Sequence, residues 1–195
     1  DTTTKETGGL VSMADQSRDI IIIQNTRVLM PSEYLKLRKA IATGDDNNQK
    51  YPVLMDFLLH TGMRLVEAQD MKPDMYRASC RVIAGVSCAK IKCKASQRTV
   101  MLSLPGCDAV EAWLRSGYTI PNRAAMHVTL KRYAELSGIG SEGITAKMFR
   151  KTLASWLMAC YPEMEMYISA SMGHSRATLQ KHYLGHGFPR AEVDL

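Results

Sequence analysis

The sequence lacks the features of a membrane protein and of a disulfide-stabilised protein. Its most apolar stretches, residues 20–23 and 53–59, are far shorter than the ~20 residues that a membrane-spanning helix needs. Its five cysteines are an odd number and include no C-x-x-C pair, which argues against a disulfide framework and against a thiolate zinc site. We therefore expect a cytoplasmic protein with reduced cysteines.

Positive charge is in moderate excess. Lys and Arg number 25 against 19 Asp and Glu, which gives a net charge of +6 over 195 residues. Hydrophobic residues make up 46% and charged residues 23%, which is typical of a globular chain and excludes a disordered one. The basic balance favours an anionic partner but does not by itself distinguish nucleic acid from other anions.

Periodicity and turn signals predict a mainly α domain with a small antiparallel β-sheet, an α+β class. We expect a tail or linker over residues 1–30, one domain over 31–184 and a C-terminal tail over 185–195. The sheet is predicted within residues 74–104. Helices are predicted at about 31–41, 52–60, 65–71, 107–116, 122–137, 145–160, 163–172 and 175–184.

Residues 61–67 (TGMRLVE) put Arg64 just after a glycine-containing break, in the first turn of a predicted helix. An arginine there can direct its guanidinium toward an anion, helped by the positive end of the helix dipole. The alternative is a plain surface ion pair between Arg64 and Glu67, three residues apart. We interpret Glu67 as a group that orients an arginine and not as a base.

Residues 92–102 (KCKASQRTVML) carry basic residues at the tip of a predicted hairpin. Lys90, Lys92 and Lys94 share one face if the strand extends that far, because strand side chains alternate with a period of two. The alternative is an edge strand that carries lysines to resist aggregation.

Two further fragments lie in the C-terminal half. Lys147 and Arg150 are one helical turn apart, where two like charges repel unless an anion lies between them. Residues 172–183 (MGHSRATLQKHY) place His174 at a glycine turn, nine residues before Tyr183. Taken alone, these fragments are more often a solvated helix face and a tyrosine of the core or its rim.

In their order, the four fragments resemble the tyrosine recombinase (phage-integrase) family over about residues 31–184, with Cys93 where the family usually has threonine. The resemblance implies a catalytic domain that cleaves and rejoins DNA through a covalent 3′-phosphotyrosyl intermediate. It implies Tyr183 as the nucleophile, and Arg64, Arg150 and His174 as ligands of the scissile phosphate. It also implies Lys92 as the general acid on the 5′ oxygen.

Some assignments stay open within this resemblance. Lys147 stands where the family usually has histidine; an ammonium cannot accept the tyrosine proton, so we expect Lys147 to donate to the phosphate. Lys94, two residues along the same face, competes with Lys92 for the acid role. Arg98 and Arg176 are predicted to contact DNA phosphates, and Lys94 is predicted to bind DNA as well.

The resemblance implies a site-specific recombinase, or integrase, of mobile DNA that acts on double-stranded DNA as a homotetramer on paired sites. Alternatives are a type IB topoisomerase-like nicking-closing enzyme and a noncatalytic DNA-binding relative. The family's N-terminal core-binding domain is not recognisable in this chain. We predict no cofactor. We also predict no metal, because His182 and His186 near His174 have no acidic residue or cysteine close in sequence.

Overall fold

The structure, a computed structural model, describes residues 20–44, 49–87, 97–183, 188 and 192. Helices dominate this part of the chain, and each predicted helix agrees with an observed one within three residues at either end. The helices are α1 (Pro31–Ala42), α2 (Lys50–Thr61), α3 (Leu65–Gln69), α4 (Leu104–Ser116), α5 (Arg123–Leu136), α6 (Lys147–Cys160), α7 (Glu165–Met172) and α8 (Arg176–Tyr183).

The strands form two small antiparallel sheets, which confirms the predicted class. The predicted sheet has the order β3-β4-β5, with β3 at Tyr76–Arg77, β4 at Val82–Val86 and β5 at Arg98–Met101. Ile83 of β4 pairs with Val100 of β5, and both side chains are buried against the helices. Residues 88–96, between β4 and β5, lie outside the described part of the structure.

A second sheet, the hairpin of β1 (Ile21–Ile23) and β2 (Thr26–Val28), lies within the predicted tail. Its β2 side chains are all buried, and the Arg27 guanidinium forms an ion pair with the buried Glu33 of α1. Lys151 of α6 donates a hydrogen bond to the Ile23 carbonyl, and burial, with the nearby charge of Lys147, lowers the pKa of Lys151. The prediction of a tail to residue 30 is therefore wrong for its last part.

Helix α6 also fixes the chain just after this hairpin. The backbone N–H of Leu29 donates to the Thr152 hydroxyl at 2.9 Å, and the Trp156 indole donates to the Leu29 carbonyl at 2.9 Å. Thr152 and Trp156 are one turn apart on α6, so one helix face binds both polar groups of a single residue. Leu29 is completely buried, and these two bonds are what allow its backbone to enter the core.

The core is built around α2, which is buried along most of its length. Phe57 stacks on Trp113 of α4 with ring centroids 5.6 Å apart, and Leu54 and Leu58 are fully buried in the same cluster. Burial of each such side chain contributes roughly 1.5–3 kcal/mol. This packing holds the end of α2, and the loop into α3, in one place. No helix in the described ranges is long and apolar enough to cross a membrane.

Replacing Thr152 by Val should test the contact with Leu29. The two side chains have nearly the same shape, but valine leaves the buried N–H of Leu29 without an acceptor. We expect the free energy of unfolding, measured by urea titration, to fall by about 1–3 kcal/mol. The control is Thr99→Val, an exposed strand position where a change within about 0.5 kcal/mol is expected. Equal effects at both positions would contradict the importance of the Leu29 bond.

Candidate active site

Arg64 lies immediately before α3 and is bound at two points by Glu67. Its backbone N–H donates to one Glu67 carboxylate oxygen at 2.7 Å, and its Nη1 donates to the other at 2.5 Å. The predicted ion pair is therefore present, yet 39% of the Arg64 side chain remains exposed. Glu67 thus fixes the direction of the Arg64 side chain without removing it from solvent, as expected for an arginine that binds an anion.

Arg98, at the start of β5, binds the same carboxylate from the other side. Its Nη1 and Nη2 donate to the two Glu67 oxygens at 2.7 and 2.9 Å, and its Nε donates to the Ser171 carbonyl at 2.9 Å. Its side chain is only 8% exposed. The guanidinium is thus turned into the protein and bound to Glu67 and Ser171, so this arrangement does not favour the predicted contact with DNA phosphates, which stays a prediction.

Glu67 is a buried carboxylate between two cations. Burial alone would raise its pKa, but hydrogen bonds from the Arg98 side chain and the Arg64 backbone, with the charges of both arginines, lower it to about 2. Glu67 is therefore ionised at any pH where the protein works. It cannot act as a general acid or base near neutrality, which agrees with its interpretation as an orienting group.

Arg150, on the second turn of α6, lies at the centre of the site. Its Nη1 donates to the Gly62 carbonyl at 2.8 Å, and its Nη2 donates to the Met172 carbonyl. Gly62 ends α2 two residues before Arg64, and Met172 ends α7 two residues before His174. A single buried guanidinium thus joins the segments that carry two other predicted site residues.

Two glycines allow these segments to approach so closely. Gly62 has a φ of +59°, and a Cβ there would lie 2.8 Å from the Met172 sulfur. Gly173 has a φ of +60°, and a Cβ there would lie 2.8 Å from Cδ of Arg98. A side chain at either position would be strained by the backbone and would also displace a neighbour. The glycines of the T-G-M-R and M-G-H fragments are therefore required by contacts inside the site.

The turn that carries His174 is held by a serine of α7. The His174 N–H donates to the Ser169 carbonyl at 3.0 Å, and the Ser169 hydroxyl donates to the His174 carbonyl at 2.8 Å. The backbone of His174 is thereby fixed at the end of α7, and its side chain is half-buried. His174 thus follows directly from the segment that Arg150 binds through Met172.

Helix α8, which ends at Tyr183, is attached through its first two turns. Leu179 is fully buried in an apolar cluster with Ile168 of α7 and Met158 of α6. Arg176 Nε and Gln180 Nε2 each donate to the same Glu165 oxygen at 3.2 Å, while the Arg176 side chain stays 67% exposed. The exposure of Arg176 is compatible with the predicted phosphate contact, which stays a prediction.

The predicted site residues divide into three groups. The structure brings together the segments of Arg64, Arg150 and His174. It leaves Lys147 exposed at the first position of α6, one turn before Arg150. Lys92 and Lys94 lie outside the described residues, and so does the side chain of Tyr183, although its backbone ends α8.

Sequence reasoning missed the serines that support the site. Ser171 accepts from Arg98 through its carbonyl, and its hydroxyl accepts from the Met101 backbone N–H at 3.0 Å. Serines at helix ends are common, and nothing in their spacing signals a contact with a strand 70 residues earlier. The arginine-rich composition of the arrangement suits it to bind an anion. Among the residues that the structure describes, no cluster of side chains could hold a metal ion.

Comparisons with known proteins bear on the family and on the fold of this chain. A model of the phage integrase family matches residues 27–188. No curated protein gives a significant match to the chain. Among solved structures, the Tn1549 transposon integrase in complex with transposon right-end DNA gives a TM-score of 0.65 at 18% identity, over 85% of this chain and 64% of that one.

Two other solved structures are similar to the same degree. XerA recombinase gives a TM-score of 0.63 at 16% identity, over 99% of this chain and 65% of that one. A lambda integrase dimer bound to a COC′ core site gives 0.62 at 15% identity, over 89% and 65%. At such identities the likeness is one of fold. The chain spans less than two thirds of the length of each of these three solved chains.

The depressed pKa of Glu67 gives a pH test of the arginine pair. Since this pKa is about 2 in the folded protein and ordinarily 4.5, the ionised carboxylate stabilises the fold above pH 4.5. That stabilisation, about 3 kcal/mol, is lost progressively as the pH falls toward 2. We expect the stability difference between wild type and Glu67→Gln, from urea unfolding, to be largest near pH 7 and smaller at pH 3.5. A difference that is independent of pH would contradict this origin.

Proposed function

This chain belongs to the phage integrase family, and we propose that it is the catalytic part of a site-specific DNA recombinase. It cleaves and rejoins DNA strands by transesterification, through a covalent 3′-phosphotyrosyl intermediate. The observation that carries the proposal is the pair of hydrogen bonds from Arg150 to the carbonyls of Gly62 and Met172. Through them, the segments of Arg64 and His174 meet around one cation.

In the proposed reaction the Tyr183 oxygen attacks the scissile phosphorus. The bond from phosphorus to the tyrosine oxygen forms as the bond to the 5′ oxygen breaks, so the energy of the phosphodiester is kept in the protein–DNA link. The 5′ oxygen leaves with a proton from Lys92, with Lys94 as the competing donor. The proton of Tyr183 passes to water or to the phosphate. Rejoining is the reverse step, with a 5′ hydroxyl as the attacking group.

The remaining residues stabilise the charge that develops on the nonbridging oxygens. Arg64 is directed toward solvent by Glu67, and Arg150 adds a second positive charge at the same place. His174 and Lys147 donate further hydrogen bonds to the phosphate. Oriented donors of this kind account for a large part of the rate enhancement in phosphoryl transfer, because they do not have to reorganise as the charge grows.

The proposed partner is double-stranded DNA, bound by a homotetramer that holds two sites. Support comes from the net charge of +6 and from the exposed cations Lys147 and Arg176 beside the site. Related folds have been solved on DNA, among them the Tn1549 integrase and lambda integrase. Since phosphate contacts dominate affinity for DNA, we expect binding to weaken steeply with salt. In this proposal the protein acts in the cytoplasm or nucleoid of a host cell, where its DNA substrate lies.

A covalent adduct on nicked DNA is the direct test of this function. A nick close to the cleavage point makes the strand that carries the new 5′ hydroxyl short enough to diffuse away. Rejoining then has no attacking group, so the protein stays linked to the 3′ phosphate. We expect an adduct between the chain and a pool of nicked duplexes of randomised sequence, visible on a denaturing gel. It should be lost in Tyr183→Phe and kept in Tyr167→Phe, a control at an exposed tyrosine of α7.

The outcomes separate the competing assignments. An adduct that persists in Tyr183→Phe contradicts the assignment of the nucleophile. No adduct with the unaltered chain contradicts the proposed activity and favours a noncatalytic DNA-binding relative. Exchange of strands between two duplexes distinguishes a recombinase from a type IB topoisomerase-like enzyme, which rejoins only the strand that it cut.

The choice between Lys92 and Lys94 can be tested with a modified leaving group. A 5′-bridging phosphorothiolate needs no proton to leave, so it should restore cleavage to a variant that lacks the general acid. We expect Lys92→Ala to slow single-turnover cleavage by about 100-fold or more and to recover on this substrate, with Lys94→Ala affected less and not rescued. Rescue confined to Lys94→Ala would transfer the acid role to that residue.

A further inference from the structure

Two arginines share one buried carboxylate at the centre of the site. Arg64 and Arg98 both donate to Glu67, Arg98 to both oxygens and Arg64 to one of them through its side chain. The Glu67 side chain is only 2% exposed, and that of Arg98 only 8%. Arg64 is the partner that reaches solvent. The buried anion Glu67 therefore lies between the buried cation Arg98 and the accessible cation Arg64.

The charges of these three groups sum to +1. Without Arg98, Glu67 and Arg64 would form an isolated pair with no net charge. An anion approaching Arg64 would then meet the field of a nearby carboxylate to which only Arg64 itself is hydrogen-bonded. Because the carboxylate is buried, water would screen that repulsion poorly. The bidentate bonds from Arg98 place a compensating charge within 2.9 Å of the carboxylate oxygens.

Arg98 also reaches the segment that carries His174. Its Nε donates to the Ser171 carbonyl, and Ser171 binds the β5 backbone through its hydroxyl. Gly173 packs against the Arg98 side chain so closely that a Cβ there would overlap it. The same guanidinium thus contacts the group that orients Arg64 and the turn that leads to His174.

We propose that Arg98 is a positioning residue, which neutralises Glu67 so that Arg64 keeps its positive charge for the phosphate and which fixes the turn before His174. This inference rests on the proposed function, because it concerns the transfer step of that reaction. This role needs no contact between Arg98 and DNA. Arg98 acts through Glu67 and through the Ser171 backbone.

Charge compensation makes a prediction that a merely structural role does not. If Arg98 mainly fills space and makes hydrogen bonds, removing Glu67 as well should leave the protein no better, or worse. If Arg98 neutralises Glu67, replacing that carboxylate by an uncharged amide should recover function in a variant that lacks Arg98. The pair Arg98→Met and Glu67→Gln/Arg98→Met therefore separates the two roles.

The experiment measures single-turnover adduct formation on the nicked duplexes. We expect Arg98→Met to slow it about 100-fold, with the dissociation constant for DNA raised by less than about threefold. The variant Glu67→Gln/Arg98→Met should be about 10-fold faster than Arg98→Met, and Arg98→Lys should recover part of the rate. A double variant no faster than Arg98→Met, or an Arg98→Met enzyme as fast as wild type, would overturn the inference.

A matched control and a second readout guard against misfolding. Arg38 binds Asp56 through Nε and Nη2 at 2.8 and 2.7 Å, a bidentate pair between α1 and α2, and Arg38→Met should leave the adduct rate unchanged. Carbon-13 NMR of the Glu67 carboxyl should find its pKa raised by at least about one unit in Arg98→Met and unmoved in Arg38→Met.

The NMR readout does not depend on activity. If the unaltered chain forms no adduct, the proposed function fails, and the titration still decides whether Arg98 holds Glu67 ionised. An unmoved pKa in a folded Arg98→Met variant, as judged by its thermal midpoint, would overturn the inference even where the chain is active.

Discussion

The site depends on one buried cation, the guanidinium of Arg150, and on the two backbone carbonyls to which it donates. Gly62 and Met172 are 110 residues apart in sequence and lie at the ends of two different helices, α2 and α7. A guanidinium is expensive to bury, and carbonyl oxygens are among the groups that offset its lost hydration. Because α6 is fixed in the core through Phe149 and Met148, both fully buried, the position of Arg150 sets the positions of the other two segments.

The charged side chains around this cation differ in how far they are exposed to solvent. Arg98 and Glu67 are buried, Arg64 is partly exposed, and Lys147 is at the surface. Glu67 serves as an internal counter-ion that fixes Arg64 without cancelling the field of the whole group, since Arg98 and Arg150 remain. The result is a cationic surface whose outermost groups are held in place from behind. A phosphate that binds there meets donors that are already oriented, which is the condition for efficient stabilisation of a developing charge.

The helix ends and the glycines of the site could be predicted from the sequence, because both depend on local signals. Proline and glycine mark the helix ends, and the T-G-M-R and M-G-H fragments contain the glycines that the close contacts require. The failures were non-local. The hairpin of β1 and β2 has strands of only three residues, and the groups that bind it, Glu33 and Lys151, belong to helices later in the chain. Arg98 looked like a surface cation because its partner Glu67 belongs to another element, 31 residues earlier.

The attachment of α8 has a consequence for how the molecule responds to its environment. The cation cluster is cross-linked by groups inside the protein. Among the side chains described for α8, Leu179 is the one that is buried, and Arg176 and Gln180 bind an oxygen of Glu165. Local opening of such a lightly held helix requires less energy than opening of the interior, and ionic strength weakens the surface contact first. In the proposed reaction, a rigidly held cluster of cations therefore binds the phosphate, and the nucleophile is on a helix that opens more easily than that cluster.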